Sequence, residues 1–214
     1  MRRRMMMGQG GSKLPDGYIE LEYVECSGAQ YITLSFPSRT DISTLEIVAN
    51  WLASSVSNNR TLYGSMDAWS GLSTYNYQIA ALKNGYWYWG RSTNSASDNN
   101  VARVNISVTE NTWYKSIQNE SGVTLNGVSY SYNKSQDSPP LGSLLIGGYI
   151  DETTNTKNAQ FRGYLGEFRL DFNTGAFWLK PAQNTNNEVG FYDLANDTFI
   201  TSESGTAFVA GPVK

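Results

Sequence analysis

The sequence contains no histidine. That absence removes the commonest general base, the usual zinc ligand and the side chain that titrates nearest neutrality. A single cysteine, Cys26, excludes an internal disulfide and any thiolate metal cluster. It stands in an alternating apolar stretch, where a small buried core residue is expected and nothing adjacent marks a reactive thiol. Charge is scarce, at 16% of residues. No apolar run approaches the ~20 residues a membrane helix needs, so no membrane association is expected. The opening Met1-Arg2-Arg3-Arg4-Met5-Met6-Met7 passes at once into Gly8-Gln9-Gly10-Gly11, without the apolar stretch of roughly 7–15 residues that a secretory leader requires. The product is therefore expected to be made and kept in a cytoplasm or assembled there. The Asn-x-Ser/Thr triplets at Asn59, Asn105, Asn119, Asn133 and Asn196 then carry no glycosylation meaning.

The charge that is present is uneven. Arg2, Arg3, Arg4 and Lys13 fall in the first 13 residues with no acid among them. Taking these four from the 16 basic residues leaves 12 against 19 acids, a net of −7 for the rest of the chain. A nucleic-acid-binding body would show a basic patch instead, so no nucleic-acid partner is expected. Residues 1–13 read as an extended arm. Its glycines disfavour a helix, and it has too few apolar side chains to build a core.

What is abundant is aromatic: 14 Tyr, 8 Phe and 6 Trp, set among Gly, Ser, Thr and Asn. This is the composition of strands and loops. Alternating segments recur at 18–25, 30–34, 43–51, 60–64, 75–82, 86–89, 101–108, 112–117 and 123–132, and Ser143–Gly148 is a continuous apolar run suited to a buried central strand. Leu14-Pro15-Asp16-Gly17, Lys83-Asn84-Gly85 and Asn126-Gly127 are turn signals. Pro139-Pro140 marks a corner between sheets. No segment shows a 3.6-residue period of helical length. About a dozen short strands with turns every 8–12 residues imply an all-β, two-sheet antiparallel sandwich occupying residues 14–214 as one domain, with residues 1–13 as the arm.

Two blocks carry a family likeness. The first is Leu14-Pro15-Asp16-Gly17-Tyr18 together with Glu20-Leu21-Glu22-Tyr23-Val24-Glu25-Cys26-Ser27-Gly28-Ala29-Gln30-Tyr31-Ile32. The second runs from Phe161 to Asp171 and through Trp178–Ala182 and Val189–Asp193 to Gly205–Pro212. Within it Gly163, Phe168, Gly190, Tyr192, Asp193, Phe199, Gly205 and Phe208 hold the expected positions. Together they resemble a concanavalin A-like jelly roll of the laminin-G-like type, in the form that recurs in head, tail and fibre proteins of phages infecting gut bacteria. This chain departs from the family at Cys26, where Ser or Thr is usual, and at Thr33, where Asp is usual. The resemblance implies a jelly roll whose first and last strands pair. It also implies a structural or binding role in a virion, as a capsid-decorating, head-fibre or tail-fibre subunit whose partners are other virion proteins. A homo-oligomer is compatible with this, although no coiled-coil heptad is present.

Candidate ligand contacts are the aromatic strand Tyr86-Trp87-Tyr88-Trp89 and the loop residue Trp69. In a strand, Tyr86 and Tyr88 face one way and Trp87 and Trp89 the other. One pair lines the core, and the other either packs against a neighbour or offers flat rings to a host-surface or mucus glycan. Arg2, Arg3, Arg4, Met5, Met6 and Met7 are candidate docking residues, the cations pairing with acidic surface and the methionines filling apolar grooves. The oxygen ligands of Asp98-Asn99-Asn100 and Asp151-Glu152 match no defined calcium loop and read as polar turns, so no cofactor is expected. Jelly-roll glucanases carry Glu-x-Asp-x-x-Glu on one strand. Here Glu167 and Asp171 stand four apart and only Glu167 is placed inside a strand, so no enzymatic activity is expected.

Overall fold

The structure is a computed structural model that describes residues 13–51, 60–67, 75–83, 86–95, 102–107, 109, 111–133, 140–151, 155–159, 161–172 and 174–214. The strands begin with β1 (Ile19–Glu20), β2 (Val24–Ser27), β3 (Ile32–Trp51), β4 (Arg60–Asp67), β5 (Tyr75–Lys83) and β6 (Tyr86–Ser95). There follow β7 (Ala102–Ser107), β8 (Trp113–Gln118), β9 (Gly122–Leu125), β10 (Val128–Ser131), β11 (Pro140–Ile146) and β12 (Gly148–Asp151). The last third holds β13 (Thr156–Ala159), β14 (Arg162–Phe172), β15 (Gly175–Gln183), β16 (Val189–Asp193), β17 (Thr198–Thr201) and β18 (Val209–Ala210). The described residues include no helix, and so none long and apolar enough to cross a membrane.

The strands form two layers. The first layer runs β17, β16, β15, β14, β3, β8, β9, β10, each antiparallel to its neighbour. The second runs β3, β11, β4, β5, β6, β7, with β12 and β13 alongside β4. The pairing of β12 with β4 is parallel, a short exception in an antiparallel design.

One strand serves both layers. The segments expected as separate strands at 30–34 and 43–51 form a single 20-residue β3. Its first half pairs with β11, from Ile32↔Ile146 to Asp41↔Pro140, and its second half lies between β14 and β8. Its pairing with β11 is irregular between Leu141 and Ser143, the kind of bulge at which strands cross from one sheet to the other. Pro37 falls within this crossing strand, which is why the local sequence reads as a break.

The opposite correction applies at the N-terminus. The single strand expected over 18–25 is two short ones, β1 and β2, separated by a bend. Leu21 and Val24 both point into the core, so Glu22 and Tyr23 between them both turn outward and strict alternation fails. β1 pairs with the end of β15 and β2 with the start of β14. The C-terminal segment closes over both, through Val209↔Glu25, Ala210↔Val24, Leu21↔Val213 and the Lys214 amide donating to the Glu20 carbonyl. The pairing of first and last strands expected of a jelly roll is present.

The core lies between the layers. It includes Val24, Leu34, Leu45, Ile47, Trp89, Leu144, Phe168, Leu170 and Phe191, all at most 1% exposed. Burying each such side chain contributes about 1.5–3 kcal/mol. A polar chain is set into it: the Tyr63 hydroxyl donates to Gln118 Oε1, and Gln118 Nε2 donates to the Tyr132 oxygen at 2.6 Å. Burial pushes the Tyr132 hydroxyl pKa up to about 12, against the opposing pull of its Gln118 bond and the Arg91 charge. A satisfied buried amide of this kind fixes the register of one layer on the other.

Turn chemistry follows the sequence where it can be followed. β9 and β10 meet at Leu125↔Val128, and Asn126 (φ 46°) and Gly127 (φ 85°) take the positive φ pair of a type I′ hairpin. Gly163 has a different reason to be glycine. It sits at φ 150°, and a Cβ there would lie 2.1 Å from the Asn50 carbonyl oxygen of the neighbouring strand.

Candidate functional site

The aromatic strand divides as alternation requires. Trp89 is fully buried in the core and so is a packing residue that no ligand reaches, whereas Tyr86 is 51% exposed and Tyr88 half-buried on the outer face of the second layer. The Trp87 side chain, Trp69, the arm residues Arg2–Arg4 and Met5–Met7, Asp98–Asn100 and Glu152 lie outside the described residues. Asp151 ends β12, paired with Thr156 and Met66. Among the described residues no three His, Cys, Asp or Glu side chains come together as a metal site would need.

A second aromatic site lies on the outer face of the first layer. β8, β3, β14 and β2 align Trp113, Asn50, Tyr164 and Glu25 in one lateral row. The outward turn at Tyr23 lays its ring over the same row. Tyr23 and Tyr164 have ring centroids 4.5 Å apart, Tyr23 and Trp113 5.5 Å, and Trp113 and Tyr164 6.1 Å with planes only 27° apart. Trp113 is 39% exposed and Tyr23 and Tyr164 are half-buried, so the cluster reaches the surface. Asn50 is 6% exposed and its Oδ1 has no hydrogen-bond partner. Burial, then the neighbouring Tyr164 and the negative charges of Glu22 and Glu25, raise the Tyr23 hydroxyl pKa.

Further along this face, Trp178 donates its indole N–H to Glu167 Oε1, and the Arg169 guanidinium lies 5.4 Å from the Trp178 ring centroid. The register of β14 on β3 shifts between Leu165 and Phe168, which sets Glu167 on the outer surface. Asp171 also belongs to β14, contrary to the expectation that only Glu167 lies in a strand, and it bonds Arg169 at 3.4 Å. Four residues of strand set the Glu167 and Asp171 Cα atoms about 13 Å apart, with Glu167 held by Trp178 and Asp171 by Arg169. Glycosidase dyads stand about 5–10 Å apart, so this pair does not have that geometry.

Sequence reasoning did not find the Tyr23–Trp113–Tyr164 cluster. Its rings come from β8, β14 and the bend between β1 and β2, about 50 to 140 positions apart along the chain. The only local sign was an aromatic at an outward position of the two strands.

No protein-family model matches this chain, and no curated protein matches it. Solved structures do. The chain is similar to the CBM40 module of the Ruminococcus gnavus IT-sialidase, solved bound to α2,3-sialyllactose, at 13% identity and a TM-score of 0.51, over 73% of this chain and 93% of that one. It is also similar to domains LG4-5 of the mouse laminin α1 chain, at 12% identity and a TM-score of 0.46, over 74% and 44%. A third match is the heptameric SAP-like pentraxin of Limulus polyphemus, at 13% identity and a TM-score of 0.47, over 91% and 94%. The fold is a jelly-roll sandwich.

Proposed function

We propose that this chain is a non-enzymatic glycan-binding jelly-roll module presented on a phage particle. The observation that carries the binding reading is the Tyr23–Trp113–Tyr164 cluster, three mutually packed rings at the surface of the first layer. Flat rings bury the apolar face of a sugar while losing few rotamers. The similar CBM40 module binds a glycan through the same class of fold, which supports the reading without locating the site. The separation of Glu167 from Asp171 supports binding rather than hydrolysis. A glycan array probed with the wild-type protein tests this, and absence of binding to any glycan at high protein concentration overturns it.

The virion role rests on the two terminal blocks that resemble phage head, tail and fibre proteins. In that role the jelly roll faces outward, other virion proteins hold the chain through residues 1–13, and assembly takes place in the bacterial cytoplasm. Deleting residues 2–13 is expected to leave a folded domain that no longer joins particles, read by mass spectrometry of purified virions. Undiminished incorporation of the truncated protein counts against arm docking, and absence of the full-length protein from particles counts against the virion role.

A further inference from the structure

The groups around the ring cluster specify more than a sugar face. We infer that the Tyr23–Trp113–Tyr164 cluster takes an uncharged pyranose and discriminates against acidic sugars, an inference that rests on the glycan-binding reading above.

Glu25 pairs directly with Tyr164 across β2 and β14, and Glu22 precedes Tyr23 on the same outward bend. Both carboxylates therefore border the rings. Asn50 lies in the same row but its Oδ1 is buried beneath it, so the acceptors at the surface are the two carboxylates. Carboxylates accept hydrogen bonds, and the hydroxyls of a neutral sugar donate them. A sialic acid or uronic acid would instead bring its own carboxylate against two others.

Lysines near this face are drawn to carboxylates, and Arg162 stands two residues from Tyr164 on β14. Lys115 Nζ lies 2.6 Å from Glu46, Lys214 Nζ lies 3.0 Å from Glu20, and the Arg162 side chain runs along Gly28. Among the described residues no cation is held over the Tyr23, Trp113 or Tyr164 ring. At a separation of several ångströms in water, two like charges disfavour a third by roughly five- to tenfold in affinity. That preference shrinks as salt rises, because salt screens exposed charges.

The experiment compares wild type, Trp113→Ala, Tyr86→Ala and Glu22→Gln/Glu25→Gln on a glycan array. Titrations at low and high salt then follow with the best neutral binder and with its sialylated or uronate-bearing counterpart, lactose against α2,3-sialyllactose being one such pair. The expected result is neutral-glycan binding that weakens at least tenfold in Trp113→Ala and is unchanged in Tyr86→Ala. Acidic counterparts should bind about five- to tenfold more weakly, and the double Gln variant should close that gap. Circular dichroism of each variant shows that the fold is kept. Preferential binding of acidic glycans, or neutral binding that Trp113→Ala leaves intact, overturns this inference while glycan binding itself stands. No glycan binding by wild type overturns both.

Discussion

Replacing Asp193 with alanine removes the acceptor that ties the β16–β17 turn to β15. Asp193 is 1% exposed. Its Oδ1 accepts from the Trp178 and Ala195 backbone amides, both at 3.0 Å, and its Oδ2 accepts from Asn196 Nδ2 at 2.6 Å. Hydrogen bonds to a charged acceptor contribute about 1.5–3 kcal/mol each, and stranded buried donors add a desolvation cost. The three share one carboxylate and do not add fully, so the expected loss is about 3–5 kcal/mol. In a domain of this size each kcal/mol shifts Tm by about 2–4 °C, which gives a fall of roughly 10 °C. Urea unfolding followed by tryptophan fluorescence measures the loss directly, provided the m-value is unchanged. Asp193→Asn keeps an acceptor for the two amides and is expected to lose only about 1–2 kcal/mol. A loss below about 1 kcal/mol for the alanine variant at constant m refutes the view that this carboxylate organises the turn.

Trp89→Ala, which empties a fully buried site, is expected to cost about 3–5 kcal/mol, whereas Tyr86→Ala on the outer face should stay within about 0.5 kcal/mol; paired denaturation curves check both. Burial raises the Cys26 thiol pKa well above its ordinary value, so a thiol reagent should leave it unmodified in the folded protein and label it in denaturant. Burial pushes the Glu203 carboxyl up, but hydrogen bonds from Lys157 and from the Thr33 amide and hydroxyl more than offset this and hold its pKa below the ordinary 4.5. A lowered folded-state pKa means stability present above 4.5 and lost as pH falls through the depressed value, so Glu203→Gln should flatten the acid limb of a Tm-versus-pH profile. Gly163→Ala should destabilise by several kcal/mol, because its Cβ collides with backbone rather than with a side chain that can move; thermal unfolding reads this out.

How far the sequence could be read depends on where each signal lies. The Asn126-Gly127 hairpin and the division of Tyr86 from Trp89 are local facts of turn chemistry and two-residue period, and both are found in the fold. The glycines and aromatics of the C-terminal block were legible as a pattern, and the structure supplies reasons for them, as with Phe208 set edge-on against Phe191 in the core. Continuity of β3 was hidden because Pro37 interrupts it locally while pairing in two different sheets sustains it. The Tyr23–Trp113–Tyr164 cluster was hidden for a different reason: it exists only once β8, β3 and β14 lie side by side in one register, and no window of sequence contains that register. The outward pair Glu22–Tyr23 compounds this, since a bend breaks the alternation that would otherwise have assigned Tyr23 to a face.

The closure of the C-terminal segment over β1 and β2 has a consequence for biogenesis. Residues 20–25 pair along one edge with β15 and β14, and their other edge is covered by residues 209–214. This seam therefore forms only after residues 209–214 have been synthesised, and until then the growing chain carries an uncovered β-edge at residues 20–25. Such contacts, made between the two extremes of a chain, are the slowest to find one another. Closure of this seam is a late event in folding, and the form that precedes it is the one exposed to mispairing with its own copies on a crowded polysome.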